Sequence, residues 1–226
     1  MWLYLLIFFI PVFFFLSTNP GRNQHSSFLF LFLLGLSLFV GFSDMFGGYD
    51  RYIYGEIFDN LADVTTIKGD YSDSLYYYSY SSEVGYTFLN VLISFFTENR
   101  YIFILIITLI IYICLFISLR KYTENYPLAV VLFMGLWFFF TFTYLRQVLA
   151  ATIVWLSIQY VVERKFWKFL VVFLIGFSMH NSAIIFFPLY FIPLKKFSPK
   201  LIVGVMLFLL LLGLSPLPNS LFEVYE

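Results

Sequence analysis

Four side chains have the types to hold an anion or move a proton, and all four sit beside apolar sequence. Arg146 lies in Phe142-Thr143-Tyr144-Leu145-Arg146-Gln147, at the head of an apolar block. A cation at that depth is costly unless it faces a bundle interior and meets an anion. Its planar fork of donors fits phosphate oxygens two at a time, so a lipid-linked phosphate is a natural ligand. The structural alternatives are an arginine that snorkels to the interface, or one paired to a carboxylate. His180 lies in Ser178-Met179-His180-Asn181-Ser182, between two further blocks. Imidazole can act as base or acid near neutral pH, and its cation can hold a phosphate. In a short turn it can equally cap a helix.

The other two are carboxylates. Asp50 follows the turn Gly47-Gly48, and Glu83 opens the run Glu83-Val84-Gly85-Tyr86. Asp50 belongs to an acidic stretch with Asp44, Glu56, Asp59 and Asp63. Tyr71, Tyr76, Tyr77, Tyr78, Tyr80 and Tyr86 follow it. Aromatic faces beside carboxylates suit a sugar, which needs a stacking partner for its apolar face and acceptors for its hydroxyls. Tyrosine is also the ordinary residue of a membrane interface, and such carboxylates can be plain solvated charge. Asp50 and Glu83 are therefore the two taken as site candidates.

Absences bound the chemistry. There is no histidine pair with metal-ligand spacing and no Gly-rich phosphate loop, so no metal, cofactor or cytosolic nucleotide chemistry is expected, and no nucleic-acid partner. The lone Cys114 rules out an intrachain disulfide. His25, the only other histidine, falls in a polar connection and carries no hypothesis.

The elements that must position these residues are helices in lipid. Hydrophobic residues make up 62% of the 226 positions and charged residues 12%, too little polar surface to face water all round. The apolar residues come in blocks: 2–16, 28–42, 101–119, 128–143, 147–162, 166–179, 182–194 and 201–217. Several are shorter than the roughly 20 residues that cross about 30 Å of hydrocarbon, and flanking Trp and Tyr extend them. Pro11 and Pro188 are expected to kink their helices. The first block has no basic start and no small-residue cleavage site, so it reads as a retained helix.

Lys and Arg orient the bundle. Placing loops 17–27, 120–127, 163–168 and 195–200 in the cytoplasm puts nine of the thirteen basic residues there. Residues 44–83 carry eight acidic residues against two basic ones and fall outside. For this to hold, 83–97 must not cross. Glu83, Thr87, Asn90 and Ser94 recur at spacings of four, three and four, a polar stripe on one helical face. Phe88, Leu89, Leu92 and Phe96 cover much of the remainder. Such a helix belongs at the interface, or packed on the bundle beside a wet cavity. The expectation is an all-α polytopic bundle forming one domain over 1–226. It has about eight spans, both termini outside, one non-spanning or re-entrant helix at 83–97 (a ninth span is the other reading) and a long outer loop at 43–83. Arg146, His180 and the acidic, Tyr-rich loop then share the outer face.

An ordered set of short motifs now runs along the chain: Asp50 among tyrosines, Glu83-Val84-Gly85-Tyr86 with Leu89-Asn90, and Leu145-Arg146-Gln147 before an Ala150-bearing helix. Met179-His180-Asn181-Ser182-Ala183 leading to Pro188-Leu189-Tyr190 completes it. This order resembles the EpsG family, Wzy-like polymerases of bacterial exopolysaccharide and O-antigen synthesis, over about 50–194. The resemblance implies a multi-pass glycosyltransferase of the bacterial inner membrane, working at the outer leaflet. It would transfer a growing chain from undecaprenyl pyrophosphate onto the next lipid-linked repeat, alongside other synthesis and export proteins. It makes Arg146, His180, Asp50 and Glu83 the catalytic candidates. Arg51, Tyr52, Tyr86, Asn90, Tyr144, Gln147 and Asn181 become the substrate contacts. Family members are usually longer, which makes this chain a truncated or reduced member. A flippase of lipid-linked sugar, a polysaccharide acyltransferase and a silent scaffold in a synthesis complex are the rival readings.

Overall fold

Apolar blocks leave the peptide group as the main polar group to satisfy, and in lipid only internal hydrogen bonds can do so. The chain answers with helices. A computed structural model describes residues 2–17, 26–43, 49–68, 83–193, 195 and 197–215, and every regular element among them is helical. In chain order these are α1 (Trp2–Ser17), α2 (Ser26–Phe42), α3 (Tyr49–Lys68), α4 (Val84–Ser94), α5 (Arg100–Tyr122), α6 (Tyr126–Leu136), α7 (Phe140–Thr143), α8 (Leu145–Trp155), α9 (Ile158–Val162) and α10 (Phe166–Met179). A 3₁₀ helix (Asn181–Phe191) and α11 (Pro199–Leu214) follow. The described residues form two compact units, one up to Tyr190 and one from Phe191 onward. In the second, the Ser198 hydroxyl accepts from Leu201 N–H and starts the apolar helix α11.

Among the described residues, two stretches are long and apolar enough to cross a membrane: Arg100–Tyr122, with 23 residues, and Leu145–Val162, with 18. The other apolar helices are shorter, so the eight-span reading goes beyond what helix length alone carries. α5 is the centre of the first unit. Asn99 caps its first turn through Tyr101 N–H, and Arg120 and Lys121 sit in its last turn, where cations favour the helix dipole. Its Phe103, Ile107, Ile111 and Leu115 pack against Leu29, Leu33, Leu36 and Val40 of α2 in one core. Ile113 and Ile117 of α5 and Val171, Leu174 and Ile175 of α10 are exposed instead. A row of large apolar side chains on the outside is what a lipid solvent requires.

Three elements differ from the sequence reading. The block 128–143 is not one helix: α6 ends where Trp137 and Phe138 N–H both bond Phe133 O, and α7 starts three residues later. The block 147–162 tightens at Ser157, whose hydroxyl bonds back to Val154 O at 2.6 Å and competes with the ladder. The stretch at 43–83, read as a loop, is helical over Tyr49–Lys68. Tyr54, Phe58 and Leu61 lie on one buried face of α3, and Phe58 stacks on Phe103 of α5 with centroids 4.2 Å apart. Asp44 and the tyrosines from 71 to 80 lie outside the described residues. Pro11 is accommodated within α1, and Pro188 within the 3₁₀ helix.

The 83–97 segment forms α4, and its polar stripe points inward. Glu83, Thr87, Asn90 and Ser94 are all buried, whereas Phe88, Leu92 and Phe96 are exposed. Of the two placements read from the pattern, it takes the one packed on the bundle, against α3, α5 and α10. Thr87, Asn90 and Ser94 each donate to a carbonyl of their own segment, Glu83 O, Tyr86 O and Val91 O. Glu83 does not.

Candidate active site

Glu83 occupies the N-cap position of α4 without capping it, because its carboxylate reaches across to two other helices. One oxygen, Oε2, accepts from Arg146 Nη1 at 2.5 Å. The other, Oε1, meets His180 Nδ1. The Glu83 side chain is 8% exposed, against 31% for Arg146 and 19% for His180. The acid is therefore at the bottom of the cluster and its two partners are nearer the surface. Arg146 sits in the first turn of α8, just after Tyr144 breaks the helical path. His180 ends α10 in extended conformation, with its N–H held by Gly176 O, and the 3₁₀ helix begins at the next residue.

Small residues let these three elements meet. A Cβ at Gly85 would fall 2.7 Å from Ser178 Cβ, so α4 touches the last turn of α10 only because residue 85 has none. Gly176 does the same between α10 and α8, where a Cβ would stand 3.0 Å from Ala150 O. Ala150 and Ser157 are buried within Leu145–Val162, where small side chains let neighbours approach. Glu83 thus reaches His180 by one glycine contact, and α10 stays against the helix of Arg146 by the other.

Two tyrosines flank the guanidinium. Arg146 Cζ lies 5.0 Å from the ring centroid of Tyr54 on α3 and 5.7 Å from that of Tyr86 on α4. Aromatic faces at that distance attract a cation and restrict its plane. Burial pushes both phenols above their ordinary range, so they remain neutral and can donate but not serve as bases at pH 7. Arg146 Nε is buried without a hydrogen-bond partner among the described residues, so the fork is not used up by Glu83.

The imidazole follows from its partner. A carboxylate at Nδ1 is an acceptor, which assigns the proton to Nδ1 and leaves Nε2 with the lone pair, the arrangement that orients a general base. A carboxylate, an imidazole with a defined tautomer and a part-exposed guanidinium therefore converge at one end of α4. Such a set can take a proton from a hydroxyl and stabilise negative charge on a leaving group.

The remaining candidates fall elsewhere. Asp50 sits in the first turn of α3. Its charge acts on the Tyr54 phenol, raising its pKa. Arg51 is 2% exposed and donates to Val40 O at 2.6 Å and Gly41 O at 3.1 Å, tying α3 to the end of α2. Arg51 thereby tethers α3 to α2. Tyr52 lies under Arg100, whose Cζ is 5.6 Å from its centroid, and Arg100 Nε donates to Asp59 at 2.7 Å. Tyr86 belongs to the Arg146 surround, and Asn90 is buried one turn along α4. Tyr144 and Gln147 are exposed on either side of Arg146, and Asn181 is half-buried beside His180. Tyr54 and the Arg100–Asp59 pair were not singled out from sequence. The signal for Tyr54 was its spacing to Phe58 and Leu61.

No curated protein and no solved structure matches the chain. The family whose model does match is the EpsG family, over residues 26–226. That range takes in Glu83, Arg146 and His180 together with α2 to α11, a longer reach than the motifs alone suggested, and the chain belongs to the EpsG family.

Proposed function

We propose that the protein is a membrane glycosyltransferase that joins lipid-linked oligosaccharide repeats at the outer face of the bacterial inner membrane. Membership of a family of membrane proteins tied to polysaccharide polymerisation supports the reaction class. The observation that carries the site is the shared carboxylate of Glu83, which holds an arginine and a histidine side by side at a membrane helix end.

In this reading the donor is a growing chain on undecaprenyl pyrophosphate, and the acceptor is a hydroxyl of the next lipid-linked repeat. Arg146 holds the donor pyrophosphate. Its charge stabilises the electron pair that the leaving group takes as the anomeric carbon–oxygen bond breaks. His180 Nε2 accepts the proton of the attacking hydroxyl as the new glycosidic bond forms, and Glu83 keeps the imidazole in the right tautomer. Undecaprenyl pyrophosphate and a chain longer by one repeat are the products. The sugar-facing residues are the exposed ones around the cluster, Tyr144, Gln147 and Asn181. Asp50 stands on the first turn of α3 as a second-line candidate.

The test is reconstitution of the full chain with the lipid-linked repeat, followed by separation of products by length. A ladder is expected from the native protein, and none from Arg146→Lys or His180→Ala. A ladder of native yield from both variants overturns the assignment. Movement of the lipid-linked repeat between leaflets without bond formation replaces it with a flippase.

A further inference from the structure

Glu83 has one carboxylate and two partners, and each partner holds a different oxygen. Arg146 and His180 therefore share a single counter-charge in the ligand-free protein. We infer that Glu83 couples the two ends of the site, so that an anion captured by Arg146 raises the basicity of His180. The inference rests on the proposed role of Arg146 as the pyrophosphate ligand.

The argument is one of competing partners. A pyrophosphate oxygen on the part-exposed guanidinium takes over the donor that Oε2 holds. The attraction of Arg146 for Glu83 then falls, and the carboxylate's charge is left to the imidazole. A carboxylate acting on a histidine alone favours the imidazolium, which makes the ring a stronger base for an attacking hydroxyl. Among the described residues, the groups facing His180 and Glu83 are Tyr86 on α4, Tyr54 on α3 with Asp50 behind it, and Arg146 on α8. Both phenols are held neutral by burial. None of them offers a second carboxylate against the imidazole that would substitute for Glu83.

The experiment reads the imidazole itself. Histidine-labelled full-length protein in lipid nanodiscs is titrated by nuclear magnetic resonance with and without inorganic pyrophosphate, and pyrophosphate binding is measured alongside. The expected result is an upward shift of the His180 midpoint by about one pH unit on pyrophosphate addition. Glu83→Gln is expected to bind pyrophosphate while losing most of that shift. Glu83→Asp keeps the charge but is one methylene too short to span both partners, and serves if the glutamine variant does not fold. It too should lose most of the shift. An equal shift in the Glu83 variants means that pyrophosphate acts on His180 directly, which overturns the coupling. Pyrophosphate binding that leaves the native His180 midpoint in place overturns the coupling but not the proposed function. Absence of pyrophosphate binding to native protein removes the Arg146 assignment and the coupling together.

Discussion

Gly85 of α4 lies against Ser178 of α10 so closely that a Cβ on residue 85 would stand 3.0 Å from the serine carbonyl carbon and closer still to its side chain. Two residues back from that contact is Glu83, and two residues on from Ser178 is His180. The contact therefore sets the spacing between the acid and the imidazole, and any side chain at residue 85 must push them apart. Gly85→Ala is expected to leave a folded protein, at a cost of about 1–3 kcal/mol for overpacking, while lowering polymer formation on the order of 100-fold. Thermal unfolding together with the length ladder checks it. A native ladder from a folded Gly85→Ala protein would show that this spacing does not matter.

Arg146→Lys keeps the charge and loses three features: the planar fork, the bond geometry to Glu83, and the match to the Tyr54 and Tyr86 faces. Product formation should fall by about 100-fold or more, as for removal of a donor that stabilises a leaving group. Arg146→Ala should be no worse than Arg146→Lys. A lysine variant with activity close to native would show that a point charge suffices, and that the bidentate role is wrong.

The acid at the centre can be separated from its partners by a double-mutant cycle. Glu83→Gln leaves Arg146 and His180 without their counter-charge, and Arg146→Gln leaves Glu83 buried with only the histidine. Each should destabilise the protein, and the double variant should be destabilised by less than the sum. The coupling expected is on the order of 1 kcal/mol, kept modest because Arg146 is part-exposed. All three variants should be inactive, so stability and activity part company in the double variant. Strict additivity in the cycle would mean that the ion pair has no energetic weight.

Much of this site was visible in the chain before any coordinates. Arg146, His180 and Glu83 are polar residues embedded in apolar sequence, and that contrast needs no knowledge of contacts. The polar stripe of α4 was equally plain from its spacing. What spacing could not say was which way the stripe faced, since a stripe at an interface and a stripe in a core have the same period. The pairing was out of reach for another reason: Glu83 is 63 positions from Arg146 and 97 from His180. Such separations are joined only by packing at Gly85 and Gly176. The helix at Tyr49–Lys68 was missed because its apolar face is diluted by acidic residues, a composition that suits an exposed loop just as well. The break after Leu136 carries no proline, and no glycine stands between Leu136 and Phe140, so an unbroken apolar run concealed it.

Arg51 offers a contrast within α3. The family resemblance places it among the substrate contacts, and in the fold its Nη2 donates to the carbonyls of Val40 and Gly41 at the end of α2. Arg51→Ala should therefore cost about 2 kcal/mol of stability, the loss of a charged donor to buried acceptors. It should leave activity per folded molecule near native, with no change in apparent affinity for the lipid-linked repeat. A stable variant with a raised KM would return Arg51 to the substrate site.

The side of the membrane is the remaining premise of the outer-face reading, and α5 allows it to be tested at both ends. Its 23 residues give a length near 34 Å at about 1.5 Å per residue, enough to cross roughly 30 Å of hydrocarbon. Glu98 stands just before it and Glu124 just after it, both exposed, while the native Cys114 is buried within it. The basic residues Arg120 and Lys121 assign the Glu124 end to the cytoplasm. A membrane-impermeant maleimide added to intact cells should label Glu98→Cys at once, and Glu124→Cys only after the membrane is opened. Asp59, paired with Arg100 at the head of α5, would lie at the outer end with Glu98. The reverse labelling pattern would put that end in the cytoplasm, where no outer-leaflet sugar substrate could be reached from it.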